Sequence, residues 1–219
     1  MKIISWNIGN FIWAKYFKQS GHYAFDKDDL PDILNLIKPE NADVIFLQEV
    51  RHSHDADLIL KSLPEFSYST IVRDADTEHN SLFLSKYPIL EIHHTNSNDY
   101  IIEDITFFPI HFNAFSPQTR FDQAKLLIPD LPSTKGVILG DTNFWIVLNY
   151  FLSKHDKITY NSIVKDHIDL LKDYGHTNRA FLALDKFFVT KDLKFSDIKL
   201  TKHKISYIDH YMISANVIV

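Results

Sequence analysis

Short apolar runs, separated by turn residues, recur along the chain and predict β-strands. These runs occupy residues 2–6, 44–47, 81–84, 105–108, 136–139, 186–189 and 212–214. Between them, apolar residues at helical spacing predict helices over 29–37, 55–62 and 120–128, the first of which has an acidic start and a proline in its first turn. Helices interleaved with strands predict an α/β or α+β sandwich, in which a pair of sheets is covered by helices.

Polar side chains stand next to these apolar runs, where each strand is expected to begin or end. They are Asn7, Gln48-Glu49, His111, Asp141 with Asn143, Asp185 and Asp209-His210. Each of them alone has a local explanation, such as a turn, a cap, a surface ion pair or a hydrogen-bonded core histidine. Strand ends on one edge of a layered fold converge, so the recurrence of the pattern predicts a shared pocket.

The stretch "LGDTNF" at 139–144 gives this pattern its clearest form. Gly, Asp and Asn are all turn residues, and the hexapeptide alone is equally well explained as a turn. In an extended chain, however, the two-residue repeat places Asp141 and Asn143 on the same face. One side chain would then contact an attacking water and the other a phosphate.

Composition favours one globular domain over residues 1–219, because 45% of the residues are hydrophobic and the chain can bury a sizeable core. The chain has no cysteine, which excludes disulfides, thiolate metal sites and a cysteine nucleophile. No apolar run is long enough for a transmembrane helix, and no signal peptide is visible, so we expect a cytoplasmic or other intracellular location. The net charge of −5 is atypical of a general nucleic-acid binder and compatible with a cation site built from carboxylates.

Carboxylates with amide oxygens are typical ligands of Mg²⁺, and no H-x-x-x-H zinc pattern is present. A Mg²⁺ held by Glu49 could polarise a phosphoryl oxygen, and Asp141 could orient and deprotonate a water for in-line attack. His210 could stabilise the phosphate charge as imidazolium, oriented by an acceptor such as Asp185. Further polar groups for the phosphate would come from Asn7, Asn143 and His111.

The motifs then support a family resemblance that spans nearly the whole chain. They are "SWNIGN" at 5–10, "FLQEV" at 46–50, "SLFLSKYPI" at 81–89, "IHF" at 110–112 followed by Arg120 and Gln123, "LGDTNF" at 139–144, "LDKFFV" at 184–189 and "IDHYMI" at 208–213. In this order the chain resembles the endonuclease/exonuclease/phosphatase, or deoxyribonuclease-I-like, superfamily of Mg²⁺-dependent phosphoesterases. The resemblance implies an α+β fold, a four-layer α/β/β/α sandwich with two mainly antiparallel sheets between helices.

The resemblance also implies a role for each polar residue. At the cation, taken as Mg²⁺ with Mn²⁺ as a substitute, it places Glu49 as the direct ligand with Asn7 and Asp209 beside it. Asp141 would activate the water, and His210 would stabilise the pentacoordinate phosphate while Asp185 holds its tautomer. The remaining phosphate contacts would be Asn143 and His111. Two positions depart from the usual motifs: Ile208 replaces a small polar residue, and Leu184-Asp185 lacks the arginine that often precedes this pair.

Three functions are compatible with these residues. The first is a Mg²⁺-dependent phosphodiesterase or nuclease with a nucleic acid substrate. The second is a phosphatase or phospholipase-type esterase that acts on inositol phosphates, sphingomyelin-like lipids or a small phosphorylated molecule. The third, a non-catalytic binding module, is disfavoured because the polar set is intact. The sequence predicts no oligomeric state.

Aromatic-rich segments at 10–17 and 143–151 could stack bases or contact lipid, although packing in the core is the commoner role of such segments. Trp13 and Trp145 are the candidates for exposure near the cleft. Glu78 is a candidate for orienting His111.

Overall fold

A computed structural model of the chain describes residues 1–9, 30–50, 53–73, 80–95, 97–147, 150–205 and 208–218. Trp13 and Glu78, both named above as candidates, lie outside these described residues. Within the described ranges, no helix is long and apolar enough to cross a membrane.

The strands and helices follow one another along the chain without repeating units. The strands are β1 (Lys2–Asn7), β2 (Val44–Val50), β3 (Tyr68–Arg73), β4 (Asn80–Ser85), β5 (Leu90–His93), β6 (Asn98–Ile102), β7 (Ile105–His111), β8 (Gly136–Asp141), β9 (Ile146–Val147), β10 (Tyr150–Phe151), β11 (His167–Asp169), β12 (Asp185–Thr190), β13 (Lys194–Thr201) and β14 (Met212–Ile218). The helices are α1 (Leu30–Ile37), α2 (Ser53–Ser62), α3 (Pro117–Leu127) and α4 (Lys154–Val164), and 3₁₀ turns follow at Lys38–Glu40 and Ile128–Asp130.

Two six-stranded sheets contain most of these strands. The first has the order β13-β14-β1-β2-β4-β3, the second has the order β11-β12-β8-β7-β6-β5, and β9 pairs with β10 separately. In each large sheet one pair is parallel, β1 with β2 and β7 with β8, and the other pairs are antiparallel. The predicted α+β sandwich with two mainly antiparallel sheets is confirmed.

Three apolar clusters separate the layers of the sandwich. Residues from both sheets, including Phe46 and Phe107, form the middle cluster between them. Trp6 and Ile33 belong to a second cluster, which joins the outer face of the first sheet to α1 and α2. Ala124 belongs to a third, in which α3 and α4 cover the second sheet. Side chains alternate along a strand, so central strands supply two layers, as in β2, where Phe46 belongs to the middle cluster and Ile45 to the second.

Candidate active site

Two carboxylates from different sheets approach the same amide. Nδ2 of Asn7 donates to Oε1 of Glu49 and to Oδ2 of Asp141, at 3.0 Å in both cases. Asn7 ends β1, Glu49 lies near the end of β2, and Asp141 ends β8 of the second sheet. The amide therefore connects the two sheets at the edge where these strands end.

An irregularity in β2 directs Glu49 toward this edge. The pairing of β2 with β4 shifts between Leu47 and Val50, and Glu49 has a φ of 59°. Such β-bulges often re-aim a side chain beside an active site. Gly9 provides the space, because a Cβ on this residue would lie 1.7 Å from Oε2 of Glu49. A side chain at position 9 would force the Glu49 carboxylate to move, a role for Gly9 that the sequence analysis missed.

His111 reaches the same space from β7. The parallel pairing of β7 with β8 places His111 beside Asp141. Nε2 of His111 lies 3.7 Å from Oε1 of Glu49. One side-chain atom each of Glu49, His111 and Asp141 lies within 4.8 Å of the others, close enough to share a metal ion. The structure thus brings together polar residues from three separate strand ends.

The segment after β8 is a turn. The backbone N–H of Asn143 donates to Oδ1 of Asp141 at 2.7 Å, and Asn143 has a φ of 51°. Nδ2 of Asn143 donates to the carbonyl oxygen of Phe112 at 2.9 Å. The interpretation that an extended chain places Asp141 and Asn143 on one face is therefore wrong, because the carboxylate bends the chain into an Asx turn. The hydrogen bond that closes this turn holds the Asp141 carboxylate in place.

His210 is held by Asp185, which pairs with Asp141 across β12 and β8. Nδ1 of His210 lies 2.9 Å from Oδ2 of Asp185 and 3.1 Å from Oδ1. Burial alone would lower the pKa of His210, but the charges of Asp185 and Asp141 raise it well above 6.5. The two carboxylates therefore favour the cationic form of the ring, whose Nε2 lies 3.6 Å from Oδ2 of Asp141 and 3.8 Å from Oδ1 of Asp209.

Two side chains hold the backbone of His210 by hydrogen bonds. Its carbonyl oxygen accepts hydrogen bonds from Nε1 of Trp6 at 3.0 Å and from Nε2 of His203 at 2.7 Å. Burial lowers the pKa of His203, which favours a neutral ring that donates through Nε2. Neither Trp6 nor His203 was predicted from the sequence to have a role in the site. Trp6 stands inside an apolar run, and only its position next to Asn7 could have suggested one.

Burial also raises the pKa values of two carboxyl groups near His210, those of Asp141 and Asp209. It raises the pKa of Asp141 to about 6, and the charge of His210 opposes this rise. Burial likewise raises the pKa of Asp209. Among the described residues, no group donates a hydrogen bond to Oδ1 of Asp209, although this oxygen is buried. Buried carboxylate oxygens without a donor are rare in proteins, and a cation would compensate this one.

These donors fit a hard divalent cation. Mg²⁺ is commonly bound through one or two carboxylates and keeps several waters. Glu49 and Asp141 supply two carboxylates of this kind, and Asp209, which lies outside both clusters of described residues that could hold a metal, is connected to them through Nε2 of His210, 3.8 Å from its Oδ1. A second cluster that could hold a metal comprises Asp141, Asp185 and His210, but there the histidine already pairs with Asp185. The Glu49 side of the site is therefore the better cation position.

A cleft of about 560 Å³ opens beside His111. Ile71 of β3, Asn98 of β6, and Gln123 and Leu126 of α3 contribute to its walls. Its lining includes His111 and none of the site carboxylates, so the cleft has room for a part of a substrate that extends past His111.

The family model described as Endonuclease/Exonuclease/phosphatase family matches residues 4–205. The chain belongs to this family. The family consists of phosphoric ester hydrolases that are generally dependent on a divalent metal, so the protein is a phosphoesterase or nuclease of this superfamily. A search of curated protein sequences gave no match.

Solved structures share the fold over nearly the whole chain. An endonuclease/exonuclease/phosphatase family protein from Bacteroides thetaiotaomicron has a TM-score of 0.70 and 12% identity, with 99% of this chain and 97% of that chain covered. The 3′ phosphatase NExo from Neisseria, bound to a product DNA hairpin, has a TM-score of 0.70 and 14% identity, with 99% and 98% covered. D. rerio TDP2, complexed with a single-strand DNA product, has a TM-score of 0.69 and 14% identity, with 100% and 99% covered.

The two departures from the usual family motifs are both buried. Ile208 is 0% exposed and belongs to the cluster beneath the first sheet. The carbonyl oxygen of Leu184 accepts hydrogen bonds from the backbone N–H and the hydroxyl of Thr142. Leu184 therefore helps to hold the turn that follows Asp141.

Proposed function

We propose that the protein is a Mg²⁺-dependent phosphodiesterase that hydrolyses nucleic acid by in-line attack of a water activated at Asp141. The observation that carries the proposal is the pair of carboxylates, Glu49 and Asp141, that share the amide of Asn7 beside the cationic His210. A nucleic acid substrate is supported by TDP2 and NExo, whose structures contain DNA products. The active unit is proposed to be a single domain over residues 1–219.

Glu49 would hold the cation directly, with Asp209 at the same cation and Asn7 ordering the Glu49 and Asp141 carboxylates. The Oδ1 of Asp209 supports this assignment, because it is buried without a hydrogen-bond donor among the described residues and Nε2 of His210, at 3.8 Å, lies beyond hydrogen-bond range. A bound Mg²⁺, or Mn²⁺ in its place, supplies Lewis-acid polarisation of the phosphoryl oxygen and stabilises the leaving oxyanion.

Asp141 is proposed to take the proton from the attacking water. A general base works best when its pKa lies near the working pH, and burial brings the pKa of Asp141 to about 6. The N–H groups of Asn7 and Asn143 fix both oxygens of the carboxylate, so its lone pairs keep one direction.

His210 is proposed to stabilise the negative charge that develops on the phosphate oxygens. Its Nδ1 is occupied by Asp185, so the Nε2–H is the donor that remains for the substrate. His111 and Asn143 are proposed as further phosphate contacts at the same edge. A preorganised donor of this kind contributes about 2.7–4 kcal/mol to the transition state in acyl-transfer enzymes.

A phosphatase or phospholipase-type esterase is the second candidate. Its support is the net charge of −5, which provides little general attraction for a polyanion. A lipid or inositol phosphate places only one or a few phosphates at the site and needs no extended basic surface. The expected intracellular location stays a prediction.

A substrate panel separates these candidates. It contains single- and double-stranded DNA, abasic DNA, 5′-tyrosyl DNA, RNA, phosphoinositides and sphingomyelin, each with Mg²⁺, with Mn²⁺ and with EDTA. The proposal expects metal-dependent cleavage of at least one nucleic acid at a higher kcat/KM than that of any lipid. Cleavage of phosphoinositides or sphingomyelin alone would contradict it.

A further inference from the structure

Phe181 combines an exposed aromatic ring with an unfavourable backbone conformation. Its side chain is 68% exposed and its φ is 63°. A bulky residue with a positive φ is a steric outlier, and such residues concentrate at functional sites. The conformation would suit Gly or Asn better, and the exposed ring adds little to the core.

The turn around Phe181 is fixed by hydrogen bonds. The side-chain oxygen of Asn178 accepts from the backbone N–H of Leu182 at 3.0 Å, and the carbonyl oxygen of Asn178 accepts from the N–H of Phe181 at 3.3 Å. The N–H of Thr177 donates to the carbonyl oxygen of Leu182 at 2.9 Å, closing the other side. The ring is therefore held out from the surface by a defined loop.

This loop joins the candidate active site directly. Asn178 forms a β-bridge with His210, and the hydroxyl of Thr177 accepts a hydrogen bond from the backbone N–H of Asp185. The centre of the Phe181 ring lies 5.0 Å from that of His176, which lies 5.9 Å from that of Tyr211. Tyr211 follows His210 in the sequence. These three rings, Phe181, His176 and Tyr211, are called the aromatic platform below.

A second exposed ring lies on the segment that follows the Asp141 turn, and this segment is joined to the Phe181 loop by the hydrogen bond from the N–H of Ala183 to the carbonyl oxygen of Ile146. Trp145, 37% exposed, follows Asn143 by two residues, and the guanidinium of Arg120 lies 5.8 Å from the centre of its ring. Of the candidates named from the sequence, Trp145 is the one that lies within the described residues, and it is partly exposed. Exposed aromatic rings therefore occur on two of the loops that border the site.

Stacking on these rings would recognise a base, and the Nζ of Lys202, 5.7 Å from the centre of the Tyr211 ring, provides one positive charge for a neighbouring phosphate. The guanidinium of Arg179, next to the platform, donates to the carbonyl oxygens of His203 and Ile205 and so is already engaged. Aromatic side chains bind bases through their faces, because every base has a π-face. The net charge of −5 opposes an anionic lipid surface and a nucleic acid alike, so the exposed rings, and not the net charge, favour a base as the occupant.

We propose that the aromatic platform stacks an unpaired nucleobase adjacent to the scissile phosphate. Single-stranded or frayed nucleic acid is then the substrate class, since a base inside a duplex has no free face. This inference rests on the proposed function, because the platform is placed relative to the phosphate through His210 and Asp185.

The test compares two diesters with the same leaving group, thymidine 5′-(p-nitrophenyl phosphate) and methyl p-nitrophenyl phosphate. The kcat/KM of the thymidine ester divided by that of the methyl ester measures how much the nucleoside contributes to transition-state binding. We expect the parent to prefer the thymidine ester, and Phe181→Ala to lower the ratio about tenfold. Phe181→Trp should keep the preference. Phe181→Asn should lose it while melting at or above the parent temperature, because Asn tolerates a positive φ.

Tyr87→Ala is the control for the loss of an exposed ring. Tyr87 is 37% exposed and follows Ser85, which pairs with Val44 at the start of β2, at the opposite end of the sandwich. This variant should keep the parent ratio. A parent ratio near one, or an unchanged ratio in both Phe181→Ala and Phe181→Asn, would overturn the inference. Loss of binding to phosphatidylcholine vesicles in Phe181→Ala, with the ratio unchanged, would show a lipid contact and would overturn it too.

If the proposed function itself is wrong, the experiment gives a different result from the outcomes above. The parent protein would then release p-nitrophenolate from neither ester, whatever stands at position 181. In that case the fluorescence anisotropy of labelled oligothymidylate and of an abasic oligonucleotide of equal length decides the inference. Tighter binding of oligothymidylate that is lost in Phe181→Ala supports base stacking, and equal binding of both oligonucleotides contradicts it.

Discussion

Nδ1 of His210 lies 2.9 Å from Oδ2 of Asp185, and both side chains are buried. The carbonyl oxygen of the same histidine is held by Trp6 and His203. Ring and backbone are thus fixed independently, and Nε2 is left facing Asp141 and Asp209. This arrangement suits a preorganised donor for negative charge on a phosphate.

Asp185→Asn should lower kcat about 10- to 100-fold with a small change in KM, because the amide no longer stabilises the cationic, correctly oriented ring. Steady-state kinetics on bis(p-nitrophenyl) phosphate measure the effect, with circular dichroism to confirm folding. Asp57→Asn is the matched control, since Asp57 is exposed on α2 and should tolerate the change. An Asp185→Asn variant with the parent kcat would show that the pair is only structural.

Gly9→Ala should weaken the affinity for Mg²⁺ about 10- to 100-fold, because the new Cβ would displace the Glu49 carboxylate. Calorimetric titration with Mg²⁺ measures this affinity. The comparison variant is Gly175→Ala, where a Cβ meets open space but φ is +77°. It should lose about 1 kcal/mol of stability and keep its affinity for Mg²⁺. Equal Mg²⁺ affinity in Gly9→Ala and the parent would refute the assignment of Glu49.

Asp156→Ala should destabilise the protein by about 3–5 kcal/mol, because it leaves a buried guanidinium without its carboxylate. Nε and Nη2 of Arg120 donate to the two oxygens of Asp156 at 2.8 and 2.7 Å, and both side chains are 0% exposed. Urea denaturation measures the loss. The double variant Arg120→Met/Asp156→Leu should lose less than Asp156→Ala, since no unpaired charge remains. A greater loss in the double variant would contradict this explanation.

Glu40→Gln should reduce stability by about 1 kcal/mol at neutral pH and by less in acid. Burial alone would raise the pKa of Glu40, but hydrogen bonds and charges of Lys199 and Lys2 lower it below 4.5. A carboxyl whose pKa is lower in the folded state stabilises the fold above its unfolded value. This contribution is lost as the pH falls through the folded pKa. Urea denaturation of parent and variant between pH 7 and pH 3 should therefore show a shrinking difference, and a constant difference would be inconsistent with the ion pairs.

The hydrophobic pattern predicted the central strands of both sheets and the convergence of their polar ends. The seven predicted strands and three predicted helices are all present, with ends shifted by a few residues. Strands β3, β5, β6, β9, β10, β11 and β13 and helix α4 were not predicted. In β5 and β13 many side chains are exposed, so their apolar periodicity is weak. The strongly patterned, buried strands are those that carry the site.

The local geometry of the site could not be predicted from the sequence. The bulge at Glu49 and the turn at Asn143 both depend on positive φ values that neither residue type requires. The space at Gly9 and the hydrogen bond from Trp6 to His210 arise only when distant segments pack together. Periodicity reports which face of a strand is buried, and it contains no information about such contacts.

The most direct test of a cation-assisted phosphodiesterase is hydrolysis of bis(p-nitrophenyl) phosphate by the parent, by Asp141→Ala and by His210→Ala, each with Mg²⁺ and with EDTA. We expect activity in the parent that requires Mg²⁺, and a loss of at least about 100-fold in each variant with the fold retained. Hydrolysis at the parent rate by either variant, or a parent rate that EDTA leaves unchanged, would contradict the account.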